Sequence, residues 1–527
     1  MSNKAKNILF IMCDQLRYDY LGCTGHPSIQ TPNIDALAAK GVIFNRSYAQ
    51  ASICGPSRAS FYTGRYMFCH GANWNLYPLR VDELTMGDIL RPLGMRVALV
   101  GKTHMMPDLA GLERLGVDPN SAKGTNVMEC GFEAFEHDDG LHPDPIVPKD
   151  LNYNAYLRRH GFDSQNPWNE VANAAAGKDG EILSGWQMQN AGRPARVPDE
   201  HSETAYMTDR AMNFMDEASD DPWCLHLSYI KPHWPYIVSE PYHNKYGPAD
   251  FLPPQRTEEE RRDPHPVHEA FMKTNYSRNF ARDEVRETVL PAYMGLISQI
   301  DDHLGRLFAH MEEIGRMEDT MIVFTSDHGD YLGDHWLGEK DMHHDPSIRI
   351  PLIIYDPSPE ADKTRGTEDS RFIETIDLLP TFYEVAGGEK PPFHLEGRSL
   401  MPLIHDENIA DWREEAFCEI DYSLREEARE ILGQTPERCR GFIIVNENWK
   451  YVIYEEHDSL LYNLADDPME TVDLAQDPQY EAVRRELHEK IFTWLRRRRT
   501  RITVSDEEII GKLLNSERDA GLLIGNW

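Results

Sequence analysis

The 527-residue sequence has no apolar run approaching the ~18 uninterrupted residues of a membrane-spanning helix, so no such helix is expected. It is poor in basic charge. Its 54 Lys and Arg face 88 Asp and Glu, a formal net charge of −34, which on average repels nucleic acids and anionic membranes. Cysteine is scarce: eight residues, at positions 13, 23, 54, 69, 130, 224, 418 and 439, without regular spacing. That pattern argues against a disulfide framework and for reduced thiols in a cytoplasmic compartment. No internal repeat is visible. The opening "MSNKAKNILFIMCD" has only about half a dozen apolar residues and no small-residue cleavage site, so it reads as a first β-strand rather than a signal peptide.

What is present is ordinary globular composition, 40% apolar and 10% aromatic, in a chain long enough for several units or for one large α/β domain with an appendage. "NILFIMCD", "GMRVALVGKTH", "PWCLHLSYIKPH", "TMIVFTSDHG" and "RIPLIIYD" share one design: a near-continuous hydrophobic strand that stops at polar or charged residues. Strands buried on both faces look like this, as in a mainly parallel sheet covered by helices, whose sites lie at the strand C-terminal ends. "TPNIDALAAKG", "SRASFYTG", "LTMGDILRPLG", "ETAYMTDRAMNFMDEA" and "PAYMGLISQIDDHLGRLFAHMEEIG" read as the covering helices. The first opens with Thr31 as N-cap and Pro32 at the first helical position.

Residues 107–200 and 239–282 break this rhythm and read as excursions over the rim of a site. From 391 the pattern turns to strand-like runs in hairpin order followed by a helix, "QYEAVRRELHEKIFTWLRRR". The expected organisation is therefore an α/β catalytic domain over 1–390 with those two insertions, then a smaller α+β subdomain over 391–527 containing an antiparallel sheet. The basic run "LRRRRTR" at 495–501 reads as a solvated helix end, with a phosphate-binding tail or a subunit contact as the alternatives. The apolar ending "GLLIGNW" is expected to dock on a neighbour or on the chain's own surface, and a homo-oligomer is expected.

Asp14 and Asp327, with Gln15 and His328 beside them, fall at the ends of two strands expected to be neighbours. Hard oxygen donors suit one divalent cation such as Ca²⁺, Mg²⁺ or Mn²⁺, and the imidazole tilts the choice toward Mn²⁺. Zinc fits less well, because no cysteine pair has the spacing of a structural site. "GKTH" adds Lys102 and His104 at alternate positions, and "KPH" adds Lys231 and His233. One cation, several cationic side chains and two histidines can hold a tetrahedral oxyanion and move protons around it.

The segment "CGPSRASFYTGR" resembles the C-x-P-S-R motif of the formylglycine-dependent sulfatases and its continuation. "TPNIDALAAKGVIFNRSYA", "LGMRVALVGKTH", "SQIDDHLGRLF", "TSDHGDYLGDH", "IRIPLII", "IDLLPTFYEVAG", "GRSLMPL" and "LYNLADDPMETVDLA" resemble further sulfatase segments in the family's order, from about residue 6 to 490. The resemblance implies an alkaline-phosphatase-like fold and oxidation of Cys54 to Cα-formylglycine by a separate maturation enzyme. The hydrated aldehyde would then attack sulfur or phosphorus. It further implies a Ca²⁺ or Mn²⁺ site of Asp14, Gln15, Asp327 and His328 completed by the modified Cys54, with Arg58 holding the diol and offsetting its charge. Lys102, Lys340 and Asn75 would contact the substrate's oxygens. His233 would protonate the leaving alcohol, and His104 would take the proton whose loss expels sulfate. Gln15 and His328 replace the Asp and Asn of many sulfatases and resemble the subgroup of phosphonate monoester hydrolases and related bacterial arylsulfatases. Lys102 and His104 resemble the sulfate-ester pattern. The implied substrate is a small sulfate ester, aryl sulfates first, with phosphonate monoesters or phosphate diesters second and choline sulfate third.

Overall fold

In strand β1, Asn7–Asp14, successive side chains alternate between two cores: Leu9, Ile11 and Cys13 enter one, Ile8, Phe10 and Met12 the other. The computed structural model describes residues 5–511 apart from 76, 149, 150 and 219, so "GLLIGNW" lies outside the described residues. The remaining strands of the main sheet are β2 (Val42–Phe44), β3 (Arg96–Gly101), β4 (Glu133–His137), β5 (Trp223–Pro232), β6 (Thr320–Ser326), β7 (Leu352–Tyr355) and β8 (Thr367–Asp369). Their spatial order is β8-β2-β7-β6-β1-β5-β3-β4. Pairing is parallel throughout except for β7, which runs antiparallel to both β2 and β6. This is the mixed, mainly parallel α/β sheet expected of buried apolar strands.

Three local readings change. "RIPLIIYD" divides between two sheets: Arg349–Ile350 joins Ser47–Tyr48 and Ile373–Glu374 in a three-stranded sheet, and Pro351 separates it from β7. β4 comes from within the stretch read as an excursion. Its sequence EAFEH is too short and polar to signal a strand. The long helix Asp283–Glu313 starts two turns before Pro291 and carries that proline inside it.

The helix Pro32–Lys40 begins where expected, but Thr31 does not cap it by accepting a hydrogen bond. Its hydroxyl instead donates to Asp35 Oδ1 at 2.9 Å. The free N–H groups of Asn33 and Ile34 are taken by the Asp301 carboxylate of the long helix, at 3.1 and 2.8 Å.

Strands Glu415–Asp421, Arg440–Asn446, Trp449–Tyr454 and Leu460–Asn463 form an antiparallel sheet in that order. One face carries the helix Glu481–Arg496 through Leu487 and Ile491. The other face, with Ile420, Ile443, Val445 and Val452, shares a core with Tyr331, Leu337, Met342 and Ile348, the chain that follows β6. The basic run is not simply a solvated helix end: Arg498 pairs with Glu396 at 3.0 Å and lies over the Tyr66 and Trp494 rings. Among the described residues no helix is long and apolar enough to cross a membrane.

Candidate active site

The parallel register brings the C-terminal ends of β1, β3, β5 and β6 to one edge. Asp14 closes β1, Lys102 follows β3, Asp327 follows β6, and His233 follows β5. Gly101, at φ +114, lets the chain turn off β3, since a Cβ there would lie 2.0 Å from Ser228 O.

Over this edge stands the fully buried helix Cys54–Thr63, with Cys54 at its N-terminus. Gly55 is required beside it: a Cβ would lie 2.9 Å from Asn75 Oδ1, the atom that accepts the Gly55 N–H at 2.8 Å. One turn along, Arg58 donates from Nε to Asp327 Oδ2 at 2.8 Å and from Nη2 to Asp14 Oδ2 at 3.0 Å. Its Nη1 donates to Lys102 O and Ser228 Oγ, both at 2.8 Å. Arg58 therefore fastens the strand ends together, and its charge reaches Cys54 as a field rather than through a hydrogen bond. Ser57 adds a bond to Asp327 O at 2.6 Å.

Around Cys54 Sγ, His328 Nε2 lies at 3.0 Å, Lys340 Nζ at 3.4 Å and Asp14 Oδ1 at 3.7 Å. Burial alone would push this thiol up. Lys340, Lys102 and His328, with a hydrogen bond from His104, instead hold it well below the ordinary thiol range. The position is thus built for negative charge. Burial and the Cys54 charge push the Asp14 carboxyl up, but Lys102, His233 and Arg58 bring it below its usual range. Burial and then the Asp14 charge raise Asp327. Lys102 Nζ lies 2.7 Å from Asp14 Oδ2 as an ion pair, off the line of a hydrogen bond, so its donors remain available.

Ligand atoms of Asp14, Cys54, Asp327 and His328 all lie within 4.8 Å of one another, the one such cluster among the described residues. Two buried carboxylates, of which Asp14 raises the proton affinity of Asp327, an imidazole and the residue-54 side chain fit a divalent cation. Gln15, at φ +64, borders them: its N–H donates to Asp327 Oδ1 at 3.0 Å and its Oε1 accepts from Lys340 Nζ at 2.9 Å.

His233 Nδ1 donates to Trp234 O at 2.7 Å, leaving Nε2 toward the centre, 3.9 Å from Asp14 Oδ1. Burial first, then the Lys340 cation, holds this imidazole down at about 3. His104 has a left-handed backbone, φ +54, fixed by its N–H to Asp139 Oδ1 at 2.8 Å; its Nδ1 is buried without a partner. Lys231 commits its ammonium to Asn173 Oδ1 and Pro235 O, at 2.8 and 3.1 Å, rather than to Cys54.

Sequence reading missed the supporting groups. Asp330 accepts from both Gln15 Nε2 and Tyr236 OH at 2.5 Å. Asp330 was within reach, three residues after Asp327, whereas Asp139, Tyr236 and Ser228 carried no local signal.

Residues 6–388 match the Sulfatase family, and residues 333–497 match the family described as N-sulphoglucosamine sulphohydrolase, C-terminal. The multifunctional alkaline phosphatase superfamily protein PehA of Trinickia caryophylli is 32% identical over 519 residues, covering 93% of this chain and 95% of its own. An arylsulfatase of Clostridium perfringens is 25% identical over 90% of this chain and 91% of its own. The phosphonate monoester hydrolase of Silicibacter pomeroyi superposes with a TM-score of 0.82 at 27% identity, over 95% of this chain and 98% of its own.

Proposed function

The chain belongs to the sulfatase family, with its alkaline-phosphatase-like fold, and from that premise we propose that it hydrolyses sulfate monoesters, aryl sulfates foremost. The observation that carries this reading is the cationic ring around Cys54: Lys340 beside the sulfur, Lys102 on Asp14, and two histidines with ring nitrogens free to exchange protons. With Cys54 converted to Cα-formylglycine by a maturation enzyme, and one divalent ion, Ca²⁺ or Mn²⁺, held by Asp14, Gln15, Asp327, His328 and residue 54, the site gains an oxygen nucleophile and a Lewis acid.

The chain's own residues do the rest. Lys102 and Lys340 bind the non-bridging oxygens and offset the charge that builds on them. Asn75 holds the residue-55 N–H and with it the start of the helix that presents residue 54. Arg58 keeps Asp14 and Asp327 from separating. His233 Nε2 gives a proton to the oxygen of the leaving alcohol. Burial first and the Lys340 cation second lower this imidazole, and a bound sulfate beside Lys340 opposes the second of these. His104 takes a proton from the residue-54 side chain as sulfate departs. His233 is buried and His104 half-buried, so both proton transfers are largely screened from bulk water.

Phosphonate monoester hydrolysis is the second reading, favoured by the likeness to the Silicibacter pomeroyi enzyme. A panel of 4-nitrophenyl sulfate, a phenylphosphonate monoester and choline sulfate tests the order. The reading expects the highest kcat/KM on the aryl sulfate; a phosphonate preference of more than about tenfold, or ~1.4 kcal/mol, reverses it.

A further inference from the structure

Lys340 reaches Cys54 from a segment in an unusual conformation. Its neighbours Glu339 and Asp341 both have left-handed backbones, φ +63 and +90, which non-glycine residues keep only where their surroundings force it. The Asp341 side chain is fully buried, and its one ion pair among the described residues is with Arg425 Nη2, at 2.7 Å. Arg425 belongs to the C-terminal half, four residues beyond the strand Glu415–Asp421. Its guanidinium carbon sits 5.3 Å from the ring centres of both Trp74 and Tyr276. Trp74 precedes Asn75, whose side chain holds Gly55. The loop carrying Trp74 is tied to the same C-terminal turn by Tyr77 OH and Ser423 Oγ, 2.9 Å apart. Arg425 is thus one residue removed, along two separate segments, from groups at the nucleophile: Lys340 beyond Asp341, and Asn75 beyond Trp74.

We propose that Arg425 is a positioning residue that holds Lys340, through Asp341, against residue 54 and Asn75, through Trp74, against Gly55, making the turn after the first strand of the C-terminal sheet a wall of the active site. A guanidinium suits the task because one planar group can face an aromatic ring and a carboxylate together. The alternative for Asp341, a buried carboxylate without a cation, would force the 339–341 segment to move. This inference rests on Lys340 being an oxyanion-binding group, as proposed above.

The test is calorimetric titration of the full-length protein with inorganic phosphate in the presence of its divalent ion, alongside melting temperature and KM and kcat on an aryl sulfate. R425M is expected to weaken phosphate binding about tenfold and to raise KM by a similar factor. D341N, which keeps Arg425 over Trp74 and the side-chain shape, is expected to lose the part of this that Lys340 carries, and the double variant no more than R425M alone, because Asp341 acts through Arg425. Should R425M fail to fold, D341N carries the test. A folded single variant that binds phosphate like the wild type, or losses that simply add, overturns the proposal. If the wild type binds phosphate but cleaves no sulfate or phosphonate ester, the proposed function falls while the Arg425 comparison still stands.

Discussion

Lys340 Nζ lies 3.4 Å from Cys54 Sγ although 286 residues separate them in the chain. Burial would lower this ammonium's proton affinity; the Cys54 and Glu339 charges more than restore it, so it stays charged at the nucleophile. Lys340→Met is therefore expected to cost about 10²–10³ in kcat/KM. Lys340→Arg is not expected to restore it, because a wide planar fork replaces a compact charge in a filled pocket. Steady-state kinetics on an aryl sulfate checks both, and wild-type rates in Lys340→Met would remove this residue from the oxyanion site.

Dialysis against a chelator is expected to abolish turnover and lower the melting temperature, and added Mn²⁺ or Ca²⁺ to restore both. An ion at a hundred times its dissociation constant stabilises the fold by about 2.7 kcal/mol. The same treatment of an Asp14→Asn, Asp327→Asn variant should leave its melting temperature unchanged. Full activity after exhaustive chelation, verified by elemental analysis, would rule out the cation.

Intact-mass measurement of protein made alongside a maturation enzyme should show a loss of about 18 Da, localised to the peptide carrying Cys54. Cys54→Ala should lack both that loss and turnover. An active preparation whose Cys54 peptide has the unaltered thiol mass would contradict the nucleophile assigned here.

Glu419 offers a pH test at a group that makes no contact with residue 54. Burial pushes its carboxyl up to about 8, although it accepts the Phe68 N–H at 2.9 Å. Because the folded form holds the proton more tightly than the unfolded one, its contribution is fully present below the ordinary value of 4.5 and is lost as pH rises toward 8. Glu419→Gln, which keeps the acceptor, should melt like the wild type at about pH 4 and higher than it at about pH 8.5, by about 1 °C per kcal/mol relieved. A variant that melts lower at the alkaline end would mean that the native carboxylate is ionised and paired.

Much of this was legible in the residues themselves. Apolar runs ending in Asp14, Lys102, His233 and Asp327 announced a sheet buried on both faces with its chemistry along one edge, because a strand covered on both sides can place polar groups only at its ends. The ordered motifs around Cys54 carried the family. Local sequence could not give the partners of those residues. That Arg58 spends its donors on both carboxylates, that Asp301 rather than Thr31 caps a helix, that Lys231 turns to Asn173, and that Arg425 comes from beyond the first strand of the C-terminal sheet to pair with Asp341 are all contacts across tens to hundreds of residues. Hydrophobic periodicity is written along the chain, whereas a buried charge finds its counter-charge only when packing removes the water that would otherwise solvate it.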